Sequence, residues 1–249
     1  MKRAERHHLK ENALANKIAA AREGLIARQG QIASILLGLV VIAAIVAGIS
    51  SWQRQDDVRA EQLLADAMTV YNARVVPATT ESEDPGAVPA AATMAATGSY
   101  ATELAKLTDA LPRLKAAADA FPETEAGVTA RYLYASSLSN LGRHAEAIDA
   151  FREVVDLAGD DSLYGRVALM GTADAQTRAG QLDAAIEAWE ALASSADEQL
   201  PKDAVLMELG KVYQASGDQD AASETFSRVV DEYPASLYSL EAQAELDGS

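Results

Sequence analysis

The stretch LGKVYQASGDQDAASETFSRVVDEYP, Leu209 to Pro234, decides the fold because its landmarks recur twice upstream. Aligned on Gly217, the segments Asn140 to Ala147 (NLGRHAEA) and Arg178 to Ala185 (RAGQLDAA) place Gly142 and Gly180 at the same point, so the glycines lie 38 and 37 residues apart. An alanine follows each glycine after five residues (Ala147, Ala185, Ala222), an aromatic after nine (Phe151, Trp189, Phe226) and a branched aliphatic after twelve (Val154, Leu192, Val229). A repeat of this length is one supersecondary unit used again. The glycine predicts the end of a first helix, because the left-handed position beyond a helix penalises any side chain. The alanine predicts the point where the two helices of a unit cross closest. The aromatic predicts the filling between neighbouring units. No such unit buries its apolar face alone, so stacking is expected to make the fold.

These residues resemble the tetratricopeptide repeat over about residues 100–247. The third unit meets that pattern best, with Leu209-Gly210, Tyr213, Gly217, Ala222, Phe226, Val229 and Pro234. The first keeps Tyr134-Ala135, Leu138, Ala147 and Phe151 but has Gly159 where the proline stands. The second departs more, with Thr172-Ala173, Gln176 and Asp197. The resemblance implies an all-α solenoid whose business is binding other proteins. Ala235 to Leu246 reads as a closing helix over the last unit.

Working outward, Ile32 to Ser51 reads IASILLGLVVIAAIVAGISS and holds no charged residue. Twenty helical residues rise about 30 Å, the thickness of a bilayer core. The run exceeds the apolar core of about 7–15 residues in a cleavable signal peptide, so it is expected to be a permanent single-pass anchor. Residues 1–31 carry a formal +4 and residues 52–249 a formal −20, which together give the net −16 of the chain. Lys17, Arg22 and Arg28 before the run predict a cytoplasmic N-terminus and a large domain on the far side. Trp52 stands where an interfacial aromatic is expected. Within the basic arm, Leu14, Ile18, Ala21 and Leu25 form an apolar stripe at helical spacing; the arm either lies on anionic lipid or extends the membrane helix.

Four segments are therefore expected: a basic arm over 1–31, a membrane helix over 32–51, a helical pair over 52–126 and three repeats with a cap over 127–249. Leu64, Met68, Tyr71 and Val75 predict the first helix of the pair, and Leu104, Leu107, Leu111 and Leu114 the second, with Pro112 as a candidate kink. Between them, 77–99 is rich in Ala, Thr and Pro without an apolar period and is expected to be a mobile insertion.

Composition narrows the chemistry. The chain has no cysteine, which removes disulfides, thiolate sites and lipid attachment at cysteine. The acidic large domain disfavours nucleic acid. His144 is the only histidine after residue 8, placed in a turn; His7 and His8 are adjacent and cannot form an i, i+4 metal pair. Asp160-Asp161 suit a helix cap from Ser162 better than acid–base work. No catalytic set, cofactor site or metal site is predicted, so the chain reads as a non-enzyme.

The layout of basic arm, single span and repeat domain resembles the YfgM-type ancillary subunit of the bacterial Sec translocon. That resemblance implies the bacterial inner membrane, a periplasmic repeat domain, and partners among translocon subunits, exported client chains and periplasmic chaperones. A structural adaptor docked in an envelope assembly, such as a cell-division or outer-membrane machine, is the alternative. In stacked units of this type the first helices line the inner face. The inward positions predict a peptide groove of Tyr132, Ser136 and Asn140, then Met170, Asp174 and Arg178, then Met207, Lys211 and Gln214, with Tyr132, Met170 and Met207 as apolar contacts. Charges of both signs there disfavour a dedicated carboxylate clamp.

Overall fold

The computed structural model describes residues 29–76 and 98–248. Most of the predicted basic arm and the 77–97 part of the predicted insertion lie outside the described residues. The chain divides into two compact units, residues 1–55 and 56–249. Among the described residues the regular structure is helical, and the only β contact is an isolated parallel bridge between Val75 and Tyr100.

Helix α1 spans Gln29–Tyr71. Within residues 32–51, side chains are described at Gly38 and from Val40 to Gly48, and all of these residues are exposed. Val40, Val41, Ile42, Ile45 and Val46 are each at least half exposed. Among the described residues no helix is long and apolar enough to cross a membrane; the remaining side chains of the predicted span lie outside the described set.

In the second unit, the end of α1 meets α2 (Glu103–Ala120) and α3 (Glu125–Asn140) around Ala67, Ala110 and Leu114. The buried face of α1 centres on Ala60 and Ala67 rather than on the larger Leu64, Met68 and Tyr71, because small side chains let helices approach closely. Val75 lies beyond the helix, in the bridge with Tyr100: the Val76 N–H donates to the Tyr100 carbonyl at 2.8 Å and the Tyr100 N–H to the Arg74 carbonyl at 2.9 Å. Leu107, Leu111 and Leu114 are buried as expected, whereas Leu104, in the first turn of α2, is 62% exposed. Pro112 sits inside α2, which runs on to Ala120.

Three helix pairs follow: α3 with α4 (His144–Ala158), α5 (Leu163–Arg178) with α6 (Leu182–Ser194), and α7 (Lys202–Ser216) with α8 (Gln219–Glu232). Helix α9 (Leu237–Gly248) packs on α8 and touches α7. From α2 to α9 each helix packs on its chain neighbour, so the core is a row of local contacts. The turn glycines have φ of +76° at Gly142, +73° at Gly180 and +90° at Gly217. Each turn closes in the same way, with Arg143, Gln181 and Asp218 N–H groups donating to the Leu138, Gln176 and Tyr213 carbonyls at 2.9, 3.0 and 3.0 Å. That bond satisfies a carbonyl that the helix end leaves free. Ala147, Ala185 and Ala222 are buried at the crossings, as are Phe151, Trp189 and Phe226.

The aromatics do not all fill the same gap. A Cβ on Gly171, in the next pair, would lie 2.6 Å from the Phe151 ring, while Phe226 lies against Gly210 of its own pair. The first turns of α3 and α5 share another device. Thr124 and Ser162 accept from the Gly127 and Gly165 N–H at 3.0 and 2.9 Å and donate to the Phe121 and Gly159 carbonyls at 2.8 and 2.9 Å. The cap on α5 is thus Ser162 itself and not the acidic pair, whose Asp160 side chain accepts from the Asp161 N–H. His144 opens α4 and is half-buried with an unpartnered Nδ1, so it is not a simple surface residue of the turn.

Tyr213 ties α7 to α6 by donating to Glu190. Burial, then this hydrogen bond, push its phenol up to about 12. The folded value lies above the roughly 10 of an unfolded tyrosine. The contact's stabilisation is therefore complete below about pH 10 and is lost as pH rises through the folded value. Denaturant midpoints measured at stepped pH are expected to fall more steeply for the native chain than for Tyr213→Phe in that window; parallel curves would show that the phenol contributes no linkage.

Candidate peptide-binding groove

Successive first helices α3 and α5 lie side by side and in contact, so residues on one face of each line a common depression. It encloses about 350 Å³ between Tyr132, Ser136, Ser139 and Asn140 of α3 and Val167, Met170, Gly171 and Asp174 of α5. Phe151 and Trp189 reach it from the second helices α4 and α6, and Glu208 from α7.

Aromatic side chains back the groove: Tyr132 lines it, and Phe151 and Trp189 stand behind it almost wholly buried. The Tyr132 ring centroid lies 5.9 Å from that of Phe151 and 6.0 Å from that of Tyr164, both tilted. Burial pushes the Tyr132 phenol up, with smaller contributions from Tyr71 and Tyr164. Phe151 fits because Gly171 has no side chain where the ring passes. Trp189 donates its indole N–H to Thr177 Oγ1 at 3.3 Å, and Thr129 donates to the Tyr164 hydroxyl at 2.7 Å. These partners hold the rings in place.

The charges along the groove are paired. Arg178 Nε donates to both oxygens of Asp174 at 2.8 and 3.0 Å. Lys211 lies 3.1 Å from Glu208 and 3.0 Å from Glu241. Desolvation pulls the Lys211 ammonium down, but hydrogen bonds to Glu241 and Glu208 outweigh it and its pKa is raised.

Of the nine predicted groove residues, the structure gathers Tyr132, Ser136, Asn140, Met170 and Asp174 around one depression. Arg178 stands exposed beyond them, paired with Asp174. The third unit differs. Met207 is fully buried, packed with Leu206, Phe226 and Ala242, so it is a core residue and not a groove contact. Lys211 and Gln214 face α9, where Gln214 Nε2 donates to Glu245 at 3.0 Å. The closing helix occupies at the third unit the face that the first two leave open. Repeat spacing assigns Phe151 and Trp189 to packing alone, whereas they also line the groove. Val167, Ser139, Gly171 and Glu208 are lining residues that the sequence did not single out; Val167 occupies an inward position of the same repeat register, which was the available signal. Among the described residues no three His, Asp or Glu side chains converge as metal ligands would.

Two tetratricopeptide-repeat family models match the chain, over residues 96–162 and 204–236. The first match takes in α2, α3 and α4, and the second takes in α7 and α8. The pair α5 and α6, which carries Thr172 and Gln176, lies between them. A comparison with curated proteins returns no match. Among solved structures, the chain is similar to kinesin-light-chain TPR-like repeats from Podosopora anserina, at 22% identity and a TM-score of 0.48, covering 57% of this chain and 76% of that one. A single-substitution form of that protein matches at 21% identity with the same TM-score and coverage. By the two family models, residues 96–162 and 204–236 match tetratricopeptide repeats, a scaffold for protein–protein interaction.

Proposed function

We propose, proceeding from these tetratricopeptide repeats, that the protein is a membrane-tethered module that binds extended segments of other protein chains in the groove between α3 and α5. The observation that carries this reading is the lining itself: Tyr132, Phe151, Met170 and Trp189 beside charges that are already paired. Such a surface accepts bulky apolar side chains without demanding a particular charge, and methionine adapts to varied shapes. The charge-free run of 32–51, with its exposed Val40, Val41, Ile42, Ile45 and Val46, supports the tether. With the charge difference across that run, the arrangement agrees with the YfgM-type layout: a bacterial inner-membrane protein whose repeat domain assists translocation or hands on newly exported chains.

A second reading, the structural adaptor, has its own observation. Leu237 and Leu240, one turn apart on α9, are 93% and 82% exposed, and an exposed apolar pair on a terminal helix suits permanent docking.

Photo-crosslinking in intact cells separates the two. Tyr132→Ala with Met170→Ser is expected to abolish crosslinks to client chains while the thermal midpoint stays within about 10 °C of the native chain. If Leu237→Ser with Leu240→Ser removes the crosslinks instead, the adaptor reading replaces the groove. For topology, protease added after permeabilising the outer membrane is expected to digest the domain after Trp52 and spare the first 30 or so residues. Protection of the large domain would overturn the orientation and the periplasmic assignment.

A further inference from the structure

The second helix pair departs from its neighbours at Thr172, Gln176 and Asp197, and these three residues line one cleft. The positions of Thr172 and Gln176 hold Tyr134 and Leu138 in the first pair, and Leu209 and Tyr213 in the third. Leu138 is fully buried and Leu209 nearly so; the second pair's cleft holds about 280 Å³, and the corresponding cleft of the third pair, lined by Leu209, Tyr213, Thr225 and Arg228, about 390 Å³, so what sets the second apart is its polar Thr172 and Gln176. Leu169, Leu192 and Leu200 are among its walls. The cleft lies on a different face of α5 from the groove, which is lined by Val167, Met170, Gly171 and Asp174.

Two features define what fits. Gln176 is 7% exposed, and its Oε1 is buried with no hydrogen-bond partner. A buried acceptor is normally met by a donor, because leaving it unpaired costs its full desolvation. The basic group that lines the same cleft is already engaged: Arg166 pairs with Asp197 at 3.4 Å and donates to the Asp161 carbonyl and to Gln199. Among the residues lining the cleft no free positive charge therefore remains for an anion, and leucine walls disfavour a hydrated ion.

We propose that this cleft binds a planar apolar group carrying a single N–H or O–H donor, an indole above all, with the donor on Gln176 Oε1 and the ring among Leu169, Leu192 and Leu200. This inference stands apart from the groove, since it uses none of the groove's residues.

The test follows leucine methyl resonances of the purified full chain by NMR. Indole is expected to shift Leu169, Leu192 and Leu200. Its analogue 1-methylindole has nearly the same shape but no N–H, and is expected to bind about threefold to tenfold more weakly, the worth of one hydrogen bond. Gln176→Met keeps the length, removes the acceptor and is expected to erase that difference. A capped Gly-Trp-Gly peptide that shifts the same methyls identifies the occupant as a tryptophan of a partner chain; shifts with free indole alone identify a small aromatic molecule. Equal binding of the two indoles to the native chain, or no shift at these three leucines, overturns the proposal, and neither result depends on the variant folding.

Discussion

Gly127→Ala and Gly165→Ala are each expected to destabilise the repeat domain by about 3 kcal/mol, lowering its thermal midpoint by roughly 6–12 °C. A Cβ on Gly127 would stand 1.9 Å from the Phe121 carbonyl oxygen, and one on Gly165 1.9 Å from that of Gly159. Both obstacles are backbone, so no rotamer change relieves them. Moving the carbonyl also disturbs the cap, because Thr124 and Ser162 each hold that oxygen and the glycine N–H together. Gly142→Ala is the control. Nothing lies within 4 Å of its new Cβ, and only the φ of +76° opposes it, a cost of about 1–2 kcal/mol. Calorimetry of the three variants is expected to place Gly142→Ala above the other two in stability. If all three melt together, the close approach of the turn carbonyl is absent in solution.

Phe226→Ala is expected to cost about 3–5 kcal/mol, the range for removing a buried aromatic. Phe226 is 2% exposed and packs with Leu206, Met207 and Val229. Its ring lies over Gly210, where an added Cβ would come within 2.5 Å of it. Gly210→Ala alone is therefore expected to cost about 1–3 kcal/mol by overpacking. The two sites are coupled through one volume. Combining Gly210→Ala with Phe226→Leu is expected to cost about 1 kcal/mol less than the two single changes taken together, because the shorter side chain makes room for the methyl group. Denaturant unfolding of the four proteins in the cycle measures this directly, and strict additivity would rule out the ring-on-glycine contact.

These glycines show where the sequence was legible. Gly142, Gly180 and Gly217 were identified by their spacing, and their role is local: each needs a positive φ to reverse the chain, which few other residues adopt cheaply. Gly127 and Gly165 also lie 38 residues apart, but their role depends on a carbonyl six residues upstream folding back over the helix start. At the corresponding place in the third pair stands Lys202, whose ammonium instead donates to the Leu192, Ala193 and Ser195 carbonyls at the end of α6. Lysine there serves the preceding helix's free carbonyls, and spacing alone does not announce it.

The groove divides in the same way. Helical periodicity is a property of the chain alone, so the sequence by itself determined the paired helices, their turn glycines, the buried alanines and aromatics, and the inward register that holds Tyr132, Ser136, Asn140, Met170 and Asp174. Whether an inward position stays open depends on what packs against it from elsewhere in the chain. The tertiary structure alone decided that Met207 is core, that α9 covers Lys211 and Gln214, and that Gln176 is buried with an unpartnered Oε1 at the wall of a cleft. A period of 3.6 residues sets the direction of a side chain, but only the contacts between helices set its cover.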